Sequence, residues 1–157
     1  MSSNVYVAGL GIITSIGNNV AENLSALEKG QAGIGDISHL ETSHRNKIPA
    51  AEVKLSNEEL ASLSEFSPKI SRTPLPSLIA AKEAMDNASI KNLYSLRTGF
   101  ISANTVGGMD KSEKFFADFI SNSQKGKLRN VVYHECGSVT ELVADKLGIR
   151  NYVSTIS

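Results

Sequence analysis

The amino-acid sequence predicts an α/β protein with a parallel-rich sheet. Three segments predict β-strands, namely residues 5–8, 98–103 and 152–156. Mainly apolar segments without strict alternation of polar residues are typical of strands that are buried on both faces of a sheet. Helical segments separate the three strands, and this order is the pattern of parallel β–α–β units.

Composition and charge exclude several classes of protein. The 157 residues include sixteen Lys and Arg residues and sixteen Asp and Glu residues, so the formal net charge is zero. Because proteins that bind nucleic acids or anionic membranes carry an excess of basic residues, neither kind of partner is expected. No run of apolar residues approaches the roughly 18 needed to span a bilayer. The length suits one domain over residues 1–157, or part of one.

Cysteine usage and the first residues bear on the location of the protein. Cys136 is the one cysteine, which excludes an internal disulfide framework and a zinc site made of several cysteines. The first six residues, MSSNVY, lack the basic region and the long apolar block of a secretory signal. We therefore expect an intracellular, cytoplasmic protein.

Helix signals follow the first predicted strand. Asn18 or Asn19 is a suitable N-cap, and apolar residues at helical spacing come after it. Gly30 and Gly33 then end this helix. The beginning of the chain therefore predicts a strand, a turn and a helix.

Residues 34–73 predict a loop-rich region, because polar residues there alternate with short apolar pieces. Ser56 and Glu59 have the spacing of a capping box, which predicts a short helix over about residues 57–63. The region contains no long Gly/Ser or Pro run, so we expect it to belong to the folded domain and not to be a linker.

The remaining helices are indicated by caps and by apolar periodicity. Pro74 or Pro76 begins a helix of mostly small and apolar residues, which we expect to be substantially buried. Asp110 is the predicted N-cap of the next helix. One face of that helix carries four apolar residues, Phe115, Phe116, Phe119 and Ile120. Residues 138–147 predict a last helix, which Gly148 ends.

Gly9 and Gly11 follow the first predicted strand and invite comparison with a dinucleotide-binding loop. That loop requires a further Gly or Ala three residues after the second glycine, and this position is Thr14. The sequence also contains no Gly-Lys-Ser/Thr triplet of a phosphate-binding loop. The two glycines are therefore interpreted as part of a tight connection between strand and helix.

Two groups of residues could carry chemistry. His134, Glu135 and Cys136 are adjacent, and a thiolate nucleophile needs a nearby base, but the sequence supplies no third group to orient that base. A lone cysteine is more often a small buried apolar residue. His39 and His44 flank Glu41, yet their spacing is not that of the metalloprotease motif His-Glu-x-x-His, so we interpret them as solvated loop residues.

Four stretches, taken in order, are similar to conserved segments of one known family. They are residues 7–17 (VAGLGIITSIG), 27–34 (LEKGQAGI), 105–109 (TVGGM) and 147–157 (LGIRNYVSTIS). Together they resemble the N-terminal part of the β-ketoacyl-(acyl carrier protein) synthases, which are the condensing enzymes of fatty-acid and polyketide assembly. The resemblance covers essentially the whole chain and is weakest over residues 35–70.

The resemblance implies a thiolase-like α/β fold, of which this chain holds the N-terminal half, with a parallel-rich core sheet and flanking helices. In this family the last strand runs into a Thr-Ala-Cys-Ser sequence, and its nucleophilic cysteine would lie three residues beyond Ser157. The two family histidines that promote decarboxylation lie still further on. We therefore expect no catalytic residue in this chain and no condensation by the chain alone. Four reactive residues match no catalytic position of the family: His39, His44, His134 and Cys136.

The resemblance also implies substrate-binding residues. The family residue at the position of Val106 helps to shape the fatty-acyl tunnel, and glycines at Gly107 and Gly108 allow the backbone to pass closely. A purely structural Gly-Gly turn is the alternative interpretation. The resemblance implies neither a cofactor nor a metal.

The implied partners are an acyl carrier protein, which carries the acyl and malonyl groups, and a second copy of the chain that pairs through Tyr152–Ile156. Two other classes of function remain open at this point. The chain could be a non-catalytic interaction half that pairs with a separate C-terminal half, or an unrelated small α/β binding domain.

Overall fold

A computed structural model describes residues 4–157 of the chain. These residues divide into two compact units, one formed by the residues up to Glu59 together with Ile79–Lys91, and one formed by Leu60–Leu78 together with Asn92–Ser157. The elements in chain order are α1 (Val20–Glu28), β1 (Ile34–Gly35), β2 (Ala50–Ala51), α2 (Asn57–Ser64), α3 (Pro74–Asn87), β3 (Gly99–Ala103), α4 (Met109–Ser121), a short 3-10 helix (Leu128–Asn130), α5 (Cys136–Leu147) and β4 (Tyr152–Ile156).

The second unit is built on a parallel pair of strands. Strands β3 and β4 run side by side from Gly99 opposite Tyr152 to Ala103 opposite Ile156. Helices α4 and α5 lie between them in the sequence, and α5 packs against both strands. The parallel pairing predicted for the second and third apolar segments is therefore confirmed.

The strand predicted over residues 5–8 is absent from the structure. The side chains of Val5, Tyr6 and Val7 are largely exposed, and this segment has no regular secondary structure. A β-strand requires a neighbouring strand to accept its backbone hydrogen bonds. Just beyond this segment the backbone is bound by α3 side chains instead: Leu10 N–H donates to Asn87 Oδ1 (3.1 Å) and Ile12 N–H donates to Glu83 Oε2 (2.9 Å).

Burial of the two core strands is also lower than predicted. Ile101 in β3 and Ile156 in β4 are each 62% exposed. The prediction was wrong on this point, because an apolar strand is buried only where other elements pack on both faces of the sheet. Within residues 4–157, helix α5 is the one element that packs on both strands.

Gly9 and Gly11 allow the N-terminal segment to lie directly on the backbone of α3. A Cβ at Gly9 would lie 2.2 Å from Ala84 O, and one at Gly11 would lie 1.9 Å from Ala80 O. Both distances are shorter than any real Cβ contact, so no larger residue fits without a shift of the backbone. The two glycines therefore serve close packing on a helix and not the tight strand-to-helix connection expected from the sequence.

The loop-rich region is organised by one carboxylate. Strands β1 and β2 form a short antiparallel pair, and Glu52 follows directly after β2. Its carboxylate accepts hydrogen bonds from the N–H groups of Ser38, His39 and Leu40 and from the Ser38 hydroxyl, at 2.8–3.1 Å. Partial burial acts to raise the pKa of Glu52, but these hydrogen bonds outweigh it and lower the pKa to about 2.

Several predicted helix ends are confirmed. The Asn19 side chain caps α1 by accepting from Glu22 N–H at 2.9 Å. Ser56 and Glu59 form the predicted capping box of α2, because Ser56 N–H donates to Glu59 Oε2 (2.8 Å) and Glu59 N–H donates to Ser56 Oγ (3.2 Å). Gly148 ends α5 in the left-handed conformation, with φ of 75°.

Two helix starts differ from the prediction. Helix α4 begins at Met109 with Gly108 as N-cap, so Asp110 lies in its first turn, where its carboxylate accepts from the N–H of Arg72 at 3.1 Å. Helix α5 begins at Cys136, two residues before the predicted start. The apolar face of α4 is uncovered in part, since the following side chains are exposed: Phe116, Phe119 and Ile120.

The buried apolar side chains of the second unit come from α2 and α3, which precede β3 in the sequence, and from α5, which follows it. Leu60, Leu75 and Leu78 are fully buried, as are Val139 and Val143 of α5. The burial predicted for α3 is confirmed at its N-terminal end. Within residues 4–157, the structure contains no helix with the length and apolar character required to cross a bilayer.

The close packing at Gly11 leads to a stability prediction. We expect Gly11→Ala to lower the free energy of unfolding by about 1–3 kcal/mol, because its Cβ overlaps the α3 backbone. Gly35→Ala is the matched control, since a Cβ at Gly35 meets nothing within 4 Å. Urea unfolding of both variants measures the difference, and equal stability of the two would contradict the observed packing.

The pKa of Glu52 leads to a pH-dependence prediction. A carboxyl group whose pKa is lowered in the folded state contributes stability above its ordinary pKa, and this contribution is lost as the pH falls from 4.5 to about 2. We expect Glu52→Gln to reduce the free energy of unfolding by about 1 kcal/mol at neutral pH. The difference from wild type should vanish at acid pH. Glu41→Gln, in the same loop, should match the wild type, and a Glu52→Gln deficit that persists at pH 2 would contradict this assignment.

Candidate functional site

The turn after β3 carries the three residues that the resemblance implicates in substrate binding. Gly107 adopts a left-handed φ of 50°, which favours glycine. Its N–H donates to Asn104 Oδ1 at 3.0 Å, and its carbonyl oxygen accepts from the Thr73 hydroxyl at 2.6 Å. Both peptide groups beside Gly107 are therefore fixed by side chains, and the turn is held in one conformation.

The Gly107–Gly108 turn lies against the backbone that leads into α5. A Cβ at Gly107 would lie 2.1 Å from His134 O, and a Cβ at Gly108 would lie 2.2 Å from Tyr133 O. Gly108 N–H donates to His134 O at 3.2 Å, which joins the two segments. The glycines therefore permit a direct contact between the two backbone segments.

Asn104 connects three elements at this end of the sheet. Its N–H donates to the carbonyl of Ile156 in β4 (3.2 Å), its Oδ1 accepts from Gly107, and its Nδ2 donates to the carbonyl of Cys136 in α5 (3.3 Å). Thr140 Oγ1 also donates to Cys136 O (3.2 Å). Sequence reasoning did not single out Asn104, and no motif marks it except its place directly after a strand.

A cavity of about 390 Å³ opens at the carboxyl ends of β3 and β4. This is the edge of a parallel sheet at which α/β proteins bind ligands. Val106 lines the cavity, whereas Gly107 and Gly108 are buried and do not line it. The complete lining is Thr105, Val106, Met109, His134, Glu135, Cys136, Gly137, Thr155 and Ser157.

Thr155 of β4, which lines the cavity, is hydrogen-bonded to α5. Its hydroxyl donates to Thr140 Oγ1 at 2.8 Å, and Thr140 is almost completely buried. Cys136, the first residue of α5, is half-buried on the same wall. Cys136 is therefore not the fully buried small apolar residue that the sequence favoured, but a partly accessible lining residue.

His134 lines this cavity together with Cys136, but its side chain is hydrogen-bonded to α4 and not to Cys136. The ring Nδ1 of His134 lies 2.9 Å from Ser112 Oγ of α4. Glu135 is the N-cap residue of α5, and its side chain makes no capping hydrogen bond. The structure thus brings His134, Glu135 and Cys136 to one wall without joining them as a nucleophile, a base and an orienting group.

The histidines of the loop-rich region are separate from this cavity. His39 Nε2 is hydrogen-bonded to the carbonyl of Lys54 at 2.8 Å. In the described part of the chain, no three His, Cys, Asp or Glu side chains are grouped closely enough to hold a metal ion. His39, Glu41 and His44 therefore form no metal site in this structure.

The chain is similar to known proteins both in sequence and in structure. No protein-family model matches the chain. It is 32% identical over 107 residues to the 3-oxoacyl-[acyl-carrier-protein] synthase 1 of Buchnera aphidicola subsp. Acyrthosiphon pisum, a match that covers 64% of this chain and 25% of that protein. The chain thus spans about a quarter of the length of this curated relative.

The structural comparison covers nearly the whole chain. The ishigamide ketosynthase/chain length factor superposes with a TM-score of 0.80 at 20% sequence identity, over 96% of this chain and 39% of that chain. This match confirms the predicted thiolase-like α/β fold, and the sequence match confirms the predicted resemblance. The chain is therefore a ketosynthase-like polypeptide that is similar to part of a condensing enzyme.

Proposed function

We propose that this chain forms the N-terminal part of a β-ketoacyl-(acyl carrier protein) synthase and supplies one wall of its acyl-binding pocket. The observation that carries the proposal is the cavity at the carboxyl ends of β3 and β4, which is lined by Val106 and Met109, the residues on either side of the Gly107–Gly108 turn. Similarity to a 3-oxoacyl-[acyl-carrier-protein] synthase and to a ketosynthase/chain length factor supports it.

The proposed reaction has three stages. An acyl group moves onto a cysteine thiolate, a malonyl thioester loses carbon dioxide, and the resulting enolate attacks the acyl carbonyl in a Claisen condensation. Such chemistry requires a nucleophile, an oxyanion site and imidazoles that support the enolate. None of residues 1–157 matches the family nucleophile or its histidines, so in this proposal the chain positions the acyl group and carries out no bond-forming step alone.

In this proposal, apolar side chains that line the cavity hold the acyl group by packing against it and excluding water from it. Val106 presents an apolar side chain to the cavity, and Met109 at the start of α4 adds a second. Burial of each methylene of an acyl chain against such walls contributes about 0.8 kcal/mol. The rigid turn at Gly107 therefore sets how far an acyl chain can enter, because the Asn104 and Thr73 hydrogen bonds hold it in place.

An acyl carrier protein is the proposed partner that delivers the substrate. Lys125, Lys127 and Arg129 are exposed and follow one another closely, and no acidic residue lies between Asp118 and Glu135 in the sequence. This segment therefore has a local positive charge although the chain as a whole is neutral. A positive surface attracts an acidic partner such as a carrier protein and speeds the encounter.

A homodimer is the proposed assembly, with β4 at its interface. Tyr152 and Ile156 are each about 60% exposed, although both lie in a strand of the core pair. Among the described residues β4 pairs with β3 alone, so one edge of β4 has no neighbouring strand. An exposed apolar strand edge favours pairing with another strand. A cytoplasmic location stays a prediction from sequence.

An alternative proposal is a natural half-protein that does not catalyse condensation itself and pairs with a separately encoded C-terminal half. The exposed side chains of β3 and β4 favour association with further protein and suit this alternative equally. An unrelated small α/β domain, by contrast, does not account for the structural match to a ketosynthase.

Mass spectrometry and a condensation assay test the proposal. The chain alone, mixed with octanoyl and malonyl thioesters of an acyl carrier protein, should gain no acyl group on Cys136 and form no β-ketoacyl product. Addition of a C-terminal ketosynthase portion that contains the nucleophilic cysteine and the histidines should restore condensation. Acyl loading on Cys136 of the chain alone, or no restoration by a folded C-terminal portion, would contradict the proposal.

The pocket assignment is tested in the same restored enzyme. Val106→Phe should shorten the longest acyl chain accepted, with kcat/KM falling about fourfold for each methylene that no longer fits. Val5→Phe is the matched control, because Val5 is 96% exposed and does not line this cavity. Unchanged chain-length preference in Val106→Phe would place the acyl group elsewhere.

A further inference from the structure

A second groove of the same unit is lined by apolar side chains and by a serine–histidine pair. Its volume is about 590 Å³, which falls within the range of small-molecule sites. Phe115 and Phe116 of α4 line it together with Val131 and Val132. Ser112 and His134 line the same groove.

Ser112 and His134 have the geometry of a nucleophile and its base. The hydroxyl oxygen of Ser112 lies 2.9 Å from His134 Nδ1, within the range expected for transfer of a proton between them. Ser112 is held in place because its position on α4 is fixed, and its hydroxyl also lies 3.4 Å from Gly108 O. The backbone of His134 is fixed by the hydrogen bond from Gly108 N–H to its carbonyl.

The start of α5 supplies hydrogen-bond donors near this pair. The first N–H groups of a helix have no partner within the helix and point toward its N-terminus. Glu135, the N-cap of α5, does not cap them with its side chain. Ser138, in the first turn of α5, lines the groove together with Glu135. The first turn of α5 therefore borders the groove, and the field at a helix N-terminus favours negative charge that develops there.

We infer that Ser112 and His134 form a hydrolytic site for esters or thioesters of apolar carboxylic acids. The acyl chain lies between the aromatic and valine side chains, with its carbonyl group at Ser112. This inference does not depend on the proposed condensing function, because Ser112 and the groove are not used in it, although His134 and Glu135 line both cavities.

The reaction balances with water as the co-reactant. Ser112 Oγ attacks the acyl carbonyl while His134 Nδ1 takes the hydroxyl proton and passes it to the departing alcohol or thiol, whose bond to the acyl carbon breaks. A water molecule then attacks the acyl-serine ester, His134 takes a proton from that water, and the proton returns to Ser112 Oγ. The products are the free carboxylic acid and the alcohol or thiol, and no oxidation or reduction occurs.

Hydrolysis of p-nitrophenyl octanoate by the purified chain tests the inference, together with labelling by a fluorophosphonate probe. We expect turnover above the buffer rate and labelling of Ser112, located by peptide mass spectrometry. Ser112→Ala should abolish both, and His134→Gln should reduce turnover by about a hundredfold or more.

Two matched variants control for general effects of substitution. Ser121→Ala lies on the same helix outside the groove, and His44→Gln lies in the exposed loop, so both should retain wild-type turnover. Circular dichroism establishes that each variant is folded. Labelling of the wild-type chain tests the inference even if a variant does not fold. Absence of turnover and labelling in the wild type, or labelling of Cys136 in place of Ser112, would overturn the inference.

Discussion

The structure depends on direct contacts between backbone segments of the chain, which are possible only at glycine residues. Both units contain such contacts. In the first, Gly9 and Gly11 let the N-terminal segment lie on α3, and in the second, Gly107 and Gly108 let the turn after β3 lie on the segment before α5. At all four positions a Cβ would come within 2.2 Å of a carbonyl oxygen, so the contacts tolerate no larger residue.

The contact in the second unit determines the candidate site. It fixes the distance between the end of β3 and the start of α5, and the Asn104 side chain then joins both to the end of β4 through its hydrogen bonds. The cavity opens where these three elements meet, with Val106 on one side and Cys136 on another. In the proposed function this wall must be rigid, because an acyl chain would be selected by the space left to it.

Sequence reasoning predicted features that depend on local signals and missed those that depend on neighbours. The Asn19 cap, the Ser56–Glu59 capping box and the Gly148 helix end are encoded within a few residues, and all are confirmed. The strand over residues 5–8 was predicted from apolar character alone, and no partner strand accompanies it. The roles of Asn104 and Ser112 depend on residues that are distant in the sequence, so no local pattern could indicate them.

Comparison of two glycine substitutions tests the central claim most directly. Gly107→Ala places a Cβ against His134 O and forces alanine into a left-handed φ, so the free energy of unfolding should fall by about 2 kcal/mol or more. Gly137→Ala, in the first turn of α5, meets no atom within 4 Å and should leave stability unchanged or raise it by up to about 1 kcal/mol. Urea unfolding that shows equal stability for the two variants would contradict the account.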